Sequence, residues 1–290
     1  MAAAIRIAVR MLVTGAGGML GRDAVAAARA AGHEVTPLTR AELDVADAAA
    51  VRSAFEGSRP EVVLNCAAYT NVDGAEDDEP DAMRVNGEGA GIVASAAAAI
   101  DAEVVYPSTD YVFDGDKREP YLESDPVAPR SAYGRSKLAG ERATVAANPH
   151  HHVVRTSWLF GLAGKNFVET MLRVGRERAD VSVVSDQVGC PTYTAHLAPA
   201  LVALAGSDRF GVRHIAARGE CSWFDFAEAI LGRAGIACAV NPTTTAEFAR
   251  PAPRPAYSVL RSERSEATEL PHWREGLDAY LTERSERVAA

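Results

Sequence analysis

The fold is decided near the amino terminus by the stretch Val13-Thr14-Gly15-Ala16-Gly17-Gly18-Met19-Leu20-Gly21. An apolar run that predicts a strand precedes it, and an Ala-rich run that predicts a helix follows it. Glycines 15, 18 and 21 are three apart; a GxGxxG spacing fails because position 20 is leucine. Glycines at such a turn let a pyrophosphate approach the amides at a helix N-terminus. The stretch predicts a dinucleotide-binding unit.

The same alternation of strand and helix continues through the first half of the chain. It predicts βαβ units and a doubly wound parallel sheet, a Rossmann-type α/β fold. The predicted strands are Val9–Thr14, Glu34–Leu38, Glu61–Asn65, Glu103–Pro107 and Val153–Thr156. The predicted helices are Met19–Ala31, Ala46–Glu56, Pro80–Ile100 and Ser131–Ala147.

The regular alternation ends near residue 160. We therefore predict a dinucleotide-binding domain over residues 1–160 and a smaller α/β lobe over 161–290, mainly for substrate, with segments that return to the first domain. Residues 1–10 are interpreted as an extension with no part in the fold. The later predicted elements are strands Val181–Val184 and Gly211–Ile215, and helices Asn166–Arg176, Thr194–Ala205, Ser222–Ala234 and Trp273–Glu283.

Composition excludes several classes of protein. The 290 residues carry a net charge of −9, so the basic footprint of a nucleic-acid binder is absent. No apolar run approaches the ~20 residues of a membrane span, and no signal peptide is recognisable. The four cysteines lack metal-ligand spacing and indicate reduced thiols in a cytoplasmic protein.

The end of the second predicted strand indicates which cofactor binds. NAD-binding proteins place a carboxylate there for the ribose 2′-hydroxyl, whereas an Arg accommodates the 2′-phosphate of NADP. Here the segment reads Leu38-Thr39-Arg40, and no carboxylate comes before Glu42. This favours NADPH, with Arg40 at the phosphate and Thr39 as a hydroxyl donor. A surface arginine in a loop is the simpler alternative.

A phenol and an ammonium stand on one face of a predicted helix. Tyr133 and Lys137 are four residues apart. A nearby cation stabilises the phenolate, so we expect Lys137 to lower the pKa of Tyr133. Thr109 follows a predicted strand and so lies at the carboxyl edge of the sheet, where ligands bind. The three residues form a candidate catalytic group.

Five longer runs of the sequence carry a resemblance to a known family. They are Asn65–Asp73, Ser108–Gly115 (STDYVFDG), Tyr133–Glu141 (YGRSKLAGE), Arg155–Trp158 and Asp186–Thr192. The chain resembles the extended short-chain dehydrogenase/reductase superfamily and, more closely, its dTDP-4-dehydrorhamnose reductases over residues 11 to 285. Members reduce the 4-keto group of dTDP-4-keto-L-rhamnose with NADPH, sometimes NADH.

The resemblance implies a role for each matching residue. Tyr133 would donate the proton, Lys137 would hold the ribose hydroxyls, and Thr109 would hydrogen-bond the substrate carbonyl. Asp110, Trp158 and Arg254 would contact the substrate; a core aromatic and an exposed loop arginine are the simpler alternatives for the last two. The cofactor residues implied are Gly15, Gly18, Met19, Leu20, Gly21, Asp44, Ala68, Tyr69 and Thr70.

The chain departs from the family at a metal site. Some members hold a divalent ion between subunits with glutamates, but Asp23 and Ala195 stand at two of those positions here, and alanine cannot be a ligand. We therefore expect no metal, and a monomer or weak homodimer.

Other functions stay open. A dehydratase would need Asp then Glu after Thr109, but Asp110 is followed by Tyr111. An epimerase is not excluded by motif. Reductases of other deoxysugars, such as streptose, are closely similar, and so is the non-catalytic regulatory subunit of methionine adenosyltransferase. The intact Thr109, Tyr133 and Lys137 favour an enzyme acting on a dTDP-sugar.

Overall fold

The computed structural model describes residues 8–289. Its strands are β1 Arg10–Thr14, β2 Glu34–Leu38, β3 Val62–Asn65, β4 Glu103–Thr109, β5 His151–Thr156, β6 Leu159–Phe160, β7 Asp180–Val184, β8 Val188–Gly189, β9 Thr192–Tyr193, β10 Gly211–His214, β11 Cys221–Ser222 and β12 Ala239–Thr243. Its α-helices are α1 Met19–Ala30, α2 Ala48–Ser58, α3 Gly74–Asp77, α4 Glu79–Met83, α5 Gly89–Ala98, α6 Ala132–Ala147, α7 Phe167–Glu177, α8 Thr194–Val202, α9 Trp223–Arg233 and α10 Trp273–Ala289. A π-helical turn, Arg84–Glu88, joins α4 to α5, and a 3₁₀ turn, Asp110–Val112, follows β4.

Six of these strands form one parallel sheet in the order β10-β5-β4-β3-β1-β2. The predicted doubly wound α/β fold is confirmed. From β1 the chain moves outward to β2 and then returns to the other side of β1 to form β3. Ligands bind at such a reversal, outside the carboxyl ends of the strands. The glycine turn after β1 and the segment after β3 therefore lie side by side at this reversal, at the carboxyl edge of the sheet where a ligand is expected.

Apolar helices cover both faces of the sheet, which is why β3 is buried along its whole length. One core packs α1 against α8 through Leu20, Leu197 and Leu201. The other packs α2 and α5 through Phe55 and Val93. Because α8 and β10 come from the second half of the chain, that half contributes to the central sheet and its layers.

Two predictions about local structure were wrong. Residues 1–10 are not all outside the fold, because the Val9 carbonyl accepts from Glu34 N–H and Arg10 begins β1. Residues 1–7 lie outside the described residues. The single helix expected over 80–100 is instead α4, a π-helical turn and α5. Regular apolar spacing does not reveal an extra residue inserted in a helical turn.

The remaining elements form a separate apolar cluster beside the sheet. Phe160, Phe226, Trp273 and Tyr280 lie at its centre, with α7, α9 and α10 around it. Strands β7 and β12 pair in parallel at one side. None of the helices described over residues 8–289 is long and apolar enough to cross a membrane.

Candidate active site

A cavity of about 1380 Å³ opens at the carboxyl edge of the sheet and extends between the sheet and α7, β7 and α9. All the residues that the sequence proposed for cofactor, substrate or catalysis line this cavity. They are Gly15, Gly18, Met19, Leu20, Gly21, Thr39, Arg40, Asp44, Ala68, Tyr69, Thr70, Thr109, Asp110, Tyr133, Lys137, Trp158 and Arg254.

The glycine turn is shaped for close backbone approach. Gly15 has φ +60°, and a Cβ there would lie 2.7 Å from the Ala67 amide nitrogen. A Cβ on Gly21 would lie 2.2 Å from the Gly15 carbonyl oxygen. Gly18 caps α1 without a side-chain hydrogen bond, so the first amides of the helix are not taken up by a capping side chain. This geometry fits the pyrophosphate of a dinucleotide.

The turn after β2 combines a cation with two carboxylates. Arg40 is exposed at the cavity rim. The Thr39 amide and hydroxyl both donate to Glu42 at 2.8 Å, which lowers the Glu42 pKa. Asp44 accepts from Arg84 Nη1 at 3.1 Å. The hydroxyl predicted to serve the cofactor is therefore already donated to Glu42, whereas the Arg40 guanidinium faces the cavity rim.

Thr109 connects Tyr133 to a buried carboxyl. Its hydroxyl donates to Asp110 Oδ1 at 3.0 Å and accepts from the Tyr111 amide. Burial raises the Asp110 pKa to about 6, although hydrogen bonds with Ser258 and Thr109 oppose the rise. Burial also raises the Tyr133 pKa to about 12; a hydrogen bond with Thr109 partly opposes this. Lys137 is not among the causes of this shift, so the expected lowering of the Tyr133 pKa is not seen, and Tyr133 keeps its proton at neutral pH.

Lys137 lies beneath this group, 3% exposed. Its ammonium donates to the Pro107 carbonyl at 2.8 Å and lies 4.1 Å from the centroid of the Tyr106 ring. Burial lowers the Lys137 pKa to about 7, although Glu141 opposes the shift. Two effects on the Lys137 ammonium therefore oppose each other: the Pro107 carbonyl stabilises its charge, and burial away from water destabilises it.

The π-helical turn places a residue that sequence analysis missed. Asn86 is buried, and its side chain accepts from the Tyr69 amide at 2.8 Å and donates to the Tyr69 carbonyl at 3.0 Å. It also donates to Ser136 in α6. Asn86 therefore joins the segment after β3 to the helix of Tyr133. A π turn is a common marker of a functional site, but no pattern in the sequence indicated it.

An aromatic pair forms the opposite wall. The Trp158 and Trp223 rings stack with centroids 3.6 Å apart and planes at 4°. Trp158 has φ +47°, a strained conformation for a side chain of this size, and packs over Gly189. Trp158 is thus a cavity residue and not a core aromatic. Trp223 was missed because nothing local distinguishes the first residue of α9.

A segment near the end of the chain crosses the mouth of the cavity. Arg254 donates to both oxygens of Asp73 at 3.0 and 3.1 Å, and Arg250 donates to the same carboxylate. Burial disfavours ionised Asp73, but the hydrogen bonds from Arg254 and Arg250 prevail and lower its pKa to about 2. Exposed Phe248 lies on the same segment. Arg250 and Phe248 were not predicted.

Asp23 and Ala195 stand at two positions where some family members carry metal-binding glutamates, and the structure describes both. Burial raises the pKa of Asp23, while a hydrogen bond with Thr194 opposes the rise. Ala195 packs beside the cluster around Phe160. Residues 8–289 contain no group of three or more His, Cys, Asp or Glu arranged to hold an ion.

Comparison with known proteins gives consistent matches. The model of the RmlD substrate binding domain family matches residues 9–286. A dTDP-4-dehydrorhamnose reductase of Streptomyces griseus is 46% identical, covering 92% of this chain and 91% of that protein. A probable dTDP-4,6-dihydroxy-2-methyloxan-3-one 4-ketoreductase of Streptomyces antibioticus is 43% identical, covering 93% of each. The dTDP-4-dehydrorhamnose reductase of Bacillus anthracis, solved in complex with NADP, is 38% identical with a TM-score of 0.93, covering 96% of this chain and all of that one.

Proposed function

The chain belongs to the RmlD substrate binding domain family, and we propose on that premise that it reduces the 4-keto group of dTDP-4-dehydro-6-deoxy-L-mannose with NADPH, giving dTDP-L-rhamnose. The observation that carries the proposal is the group of Thr109, Tyr133 and Lys137 on one cavity wall. The resemblance assigns the 4-keto reduction to these three residues. The proposal does not extend to a dehydratase, since Asp110 lacks a following Glu.

The cofactor is assigned to the half of the cavity under the glycine turn. When bound, NADPH supplies the hydride. Gly15, Gly18, Met19, Leu20 and Gly21 would face its pyrophosphate, and Arg40 its 2′-phosphate. Asp44, Ala68, Tyr69 and Thr70 would hold the adenine and ribose portions. The resemblance also allows NADH; Arg40 makes NADPH the preferred cofactor.

The protein's part in the chemistry is to donate a proton and to stabilise charge. The raised pKa keeps the Tyr133 phenol protonated, so it can donate to the alkoxide that develops at the former carbonyl oxygen. Thr109 stands within reach as a second hydrogen-bond donor. The Thr109 hydroxyl donates to Asp110 in this structure, so it must turn from Asp110 to serve the substrate. Lys137 would hold the ribose hydroxyls.

The substrate is assigned to the other half of the cavity. Trp158 and Trp223 present apolar ring surface there, which suits the methyl group of a 6-deoxy sugar. Arg254 and Arg250 suit a diphosphate, because one guanidinium group can donate two parallel hydrogen bonds to the oxygens of a phosphate. Both arginines are paired with Asp73, so the diphosphate would compete with that carboxylate.

Several broader assignments belong to the same proposal. We divide the chain near residue 160 into a cofactor part and a mainly substrate-binding part. We expect a monomer or weak homodimer without a bridging metal, because Ala195 replaces a ligand-bearing position. We place the protein in the cytoplasm; its cysteines are free, as in compartments that keep thiols reduced.

The test is NADPH oxidation with dTDP-4-keto-6-deoxy sugars, with product stereochemistry read by NMR. Loss of NADPH absorbance together with formation of the L-rhamno product supports the proposal, and Tyr133→Phe is the control that removes the proton donor. Turnover of a different keto sugar only would instead identify a ketoreductase like the Streptomyces antibioticus relative. Cofactor binding without turnover of any keto sugar would identify a non-catalytic binding protein.

A further inference from the structure

A buried carboxylate lies behind the candidate catalytic group. Glu141 is one helical turn beyond Lys137 on α6 and is 3% exposed. It accepts from Arg155 Nε at 3.0 Å and from Nη2 at 2.8 Å. It also accepts from the Ser108 hydroxyl at 2.5 Å. Three donors on β4 and β5 thus hold the carboxylate in one orientation.

Stability alone does not account for this ion pair. Removing two charges from water carries a desolvation penalty, and apolar residues of similar volume often stabilise a core equally well or better. Arg155 further leaves its Nη1 without a partner among the described residues. Because the Glu141–Arg155 pair carries this desolvation penalty and is nevertheless held in one orientation, we look for a functional reason for its position.

The position of the pair suggests that reason. Three consecutive residues at the end of β4 link it to the site. The Pro107 carbonyl accepts from Lys137, the Ser108 hydroxyl donates to Glu141, and Thr109 lines the cavity. Helix α6 is therefore tied to β4 at two successive turns, directly beside the residue expected to bind the substrate carbonyl.

We propose that Glu141 is a positioning residue for the reduction: held by Ser108 and Arg155, its carboxylate favours the charged form of Lys137 and fixes the end of β4 that carries Thr109. The statement about the reaction rests on the proposed function. The statement about the charge of Lys137 does not, since it concerns the protein alone.

The other groups around Lys137 are neutral near pH 7. Burial raises the pKa of the Cys66 thiol, which follows β3, to about 12. Burial also raises the pKa values of Tyr106 on β4 and Tyr133 on α6. The charges that remain are the Glu141 carboxylate and, on β5, the Arg155 guanidinium. Glu141 and, less strongly, Cys66 oppose the lowering of the Lys137 pKa, whereas Arg155 is not among its causes. Of the two opposing groups only Glu141 is ionised near pH 7.

The charge of Lys137 can be measured by NMR titration, because the chain contains few lysines. Lys117, Lys137 and Lys165 are its only lysines, so ¹³Cε-labelled lysine gives three NMR signals, which Lys137→Met assigns. The Cβ atoms of helical residues four apart lie about 5–6 Å from each other, and a unit charge at about that distance, at an effective dielectric constant of about 20, moves a titration midpoint by roughly one to two pH units. In Glu141→Gln we expect the Lys137 midpoint to fall by about that amount.

Companion variants separate charge from folding. Glu141→Asp keeps the carboxylate and should restore most of the midpoint. The double variant Glu141→Gln/Arg155→Met removes both buried charges, so we expect it to fold even if Glu141→Gln alone does not. Its Lys137 midpoint should also be low.

Ser108→Ala tests the role of Glu141 in fixing β4. It keeps the Glu141 carboxylate, so the Lys137 midpoint should stay unchanged while kcat falls. An unchanged kcat refutes the role in fixing β4.

The titration needs neither cofactor nor substrate, so the two proposals can fail separately. A folded variant that lacks the Glu141 carboxylate and keeps the wild-type Lys137 midpoint overturns the inference about charge, even if the protein is an active reductase. A wild type without reductase activity overturns the proposed function alone. With active protein, the basic limb of kcat/KM should move with the NMR midpoint.

Discussion

The prediction that follows most directly from the geometry is that Lys137 destabilises the fold in a pH-dependent way. Lys137 is 3% exposed, and burial lowers its pKa from 10.5 to about 7. Between these values the unfolded chain binds a proton that the folded protein has released. Stability therefore rises with pH from about 7 upward, because the slope is positive wherever the unfolded state binds more protons.

The magnitude is obtained by integrating that slope. From pH 7 to pH 9 the difference in bound protons contributes about 2 kcal/mol to the free energy of unfolding, at 1.36 kcal/mol for each full proton per pH unit. The interval stops at pH 9 because the raised pKa values of Cys66 and Tyr133 act in the opposite direction above it. Lys137→Met has a similar volume and no charge, so its stability should lack this contribution.

The assay is urea unfolding of wild type and Lys137→Met at several pH values in this interval. We expect the variant to be more stable than wild type near pH 7, with the advantage shrinking by about 2 kcal/mol at pH 9. Lys165→Met, at an exposed position, is the matched control and should leave the pH dependence unchanged. Parallel curves for wild type and Lys137→Met would refute the reasoning.

Three further predictions concern activity. Tyr133→Phe should lower kcat by ~10²–10⁴ while NADPH binds nearly as before, measured by turnover and by cofactor titration; near-normal turnover would contradict its role. Arg40→Ala should reduce the preference for NADPH over NADH by about fivefold in kcat/KM, since an exposed charge interacts weakly; equal use of both by wild type would show that Arg40 does not bind the phosphate. Exhaustive EDTA treatment should leave activity and molar mass unchanged; activity lost and restored by magnesium would refute the metal-free proposal.

The sequence alone was sufficient to predict those features that depend on residues close together along the chain. The glycine turn is readable because Gly15 needs positive φ and Gly21 has no room for a Cβ. Tyr133 and Lys137 are readable because four residues make one helical turn. The alternation of strands and helices then predicted the parallel sheet, and with it the edge at which Thr109 lies.

Only the tertiary structure decided how the site is supported, because the groups involved are far apart in sequence. Asn86 reaches Tyr69 through a π turn, and Asp73 pairs with Arg254, 181 residues away. Trp158 and Trp223 come from different layers of the fold and stack only after these pack together. The same packing reversed an electrostatic expectation: a cation one turn away predicts a lowered Tyr133 pKa, but burial, which no local pattern measures, raises it.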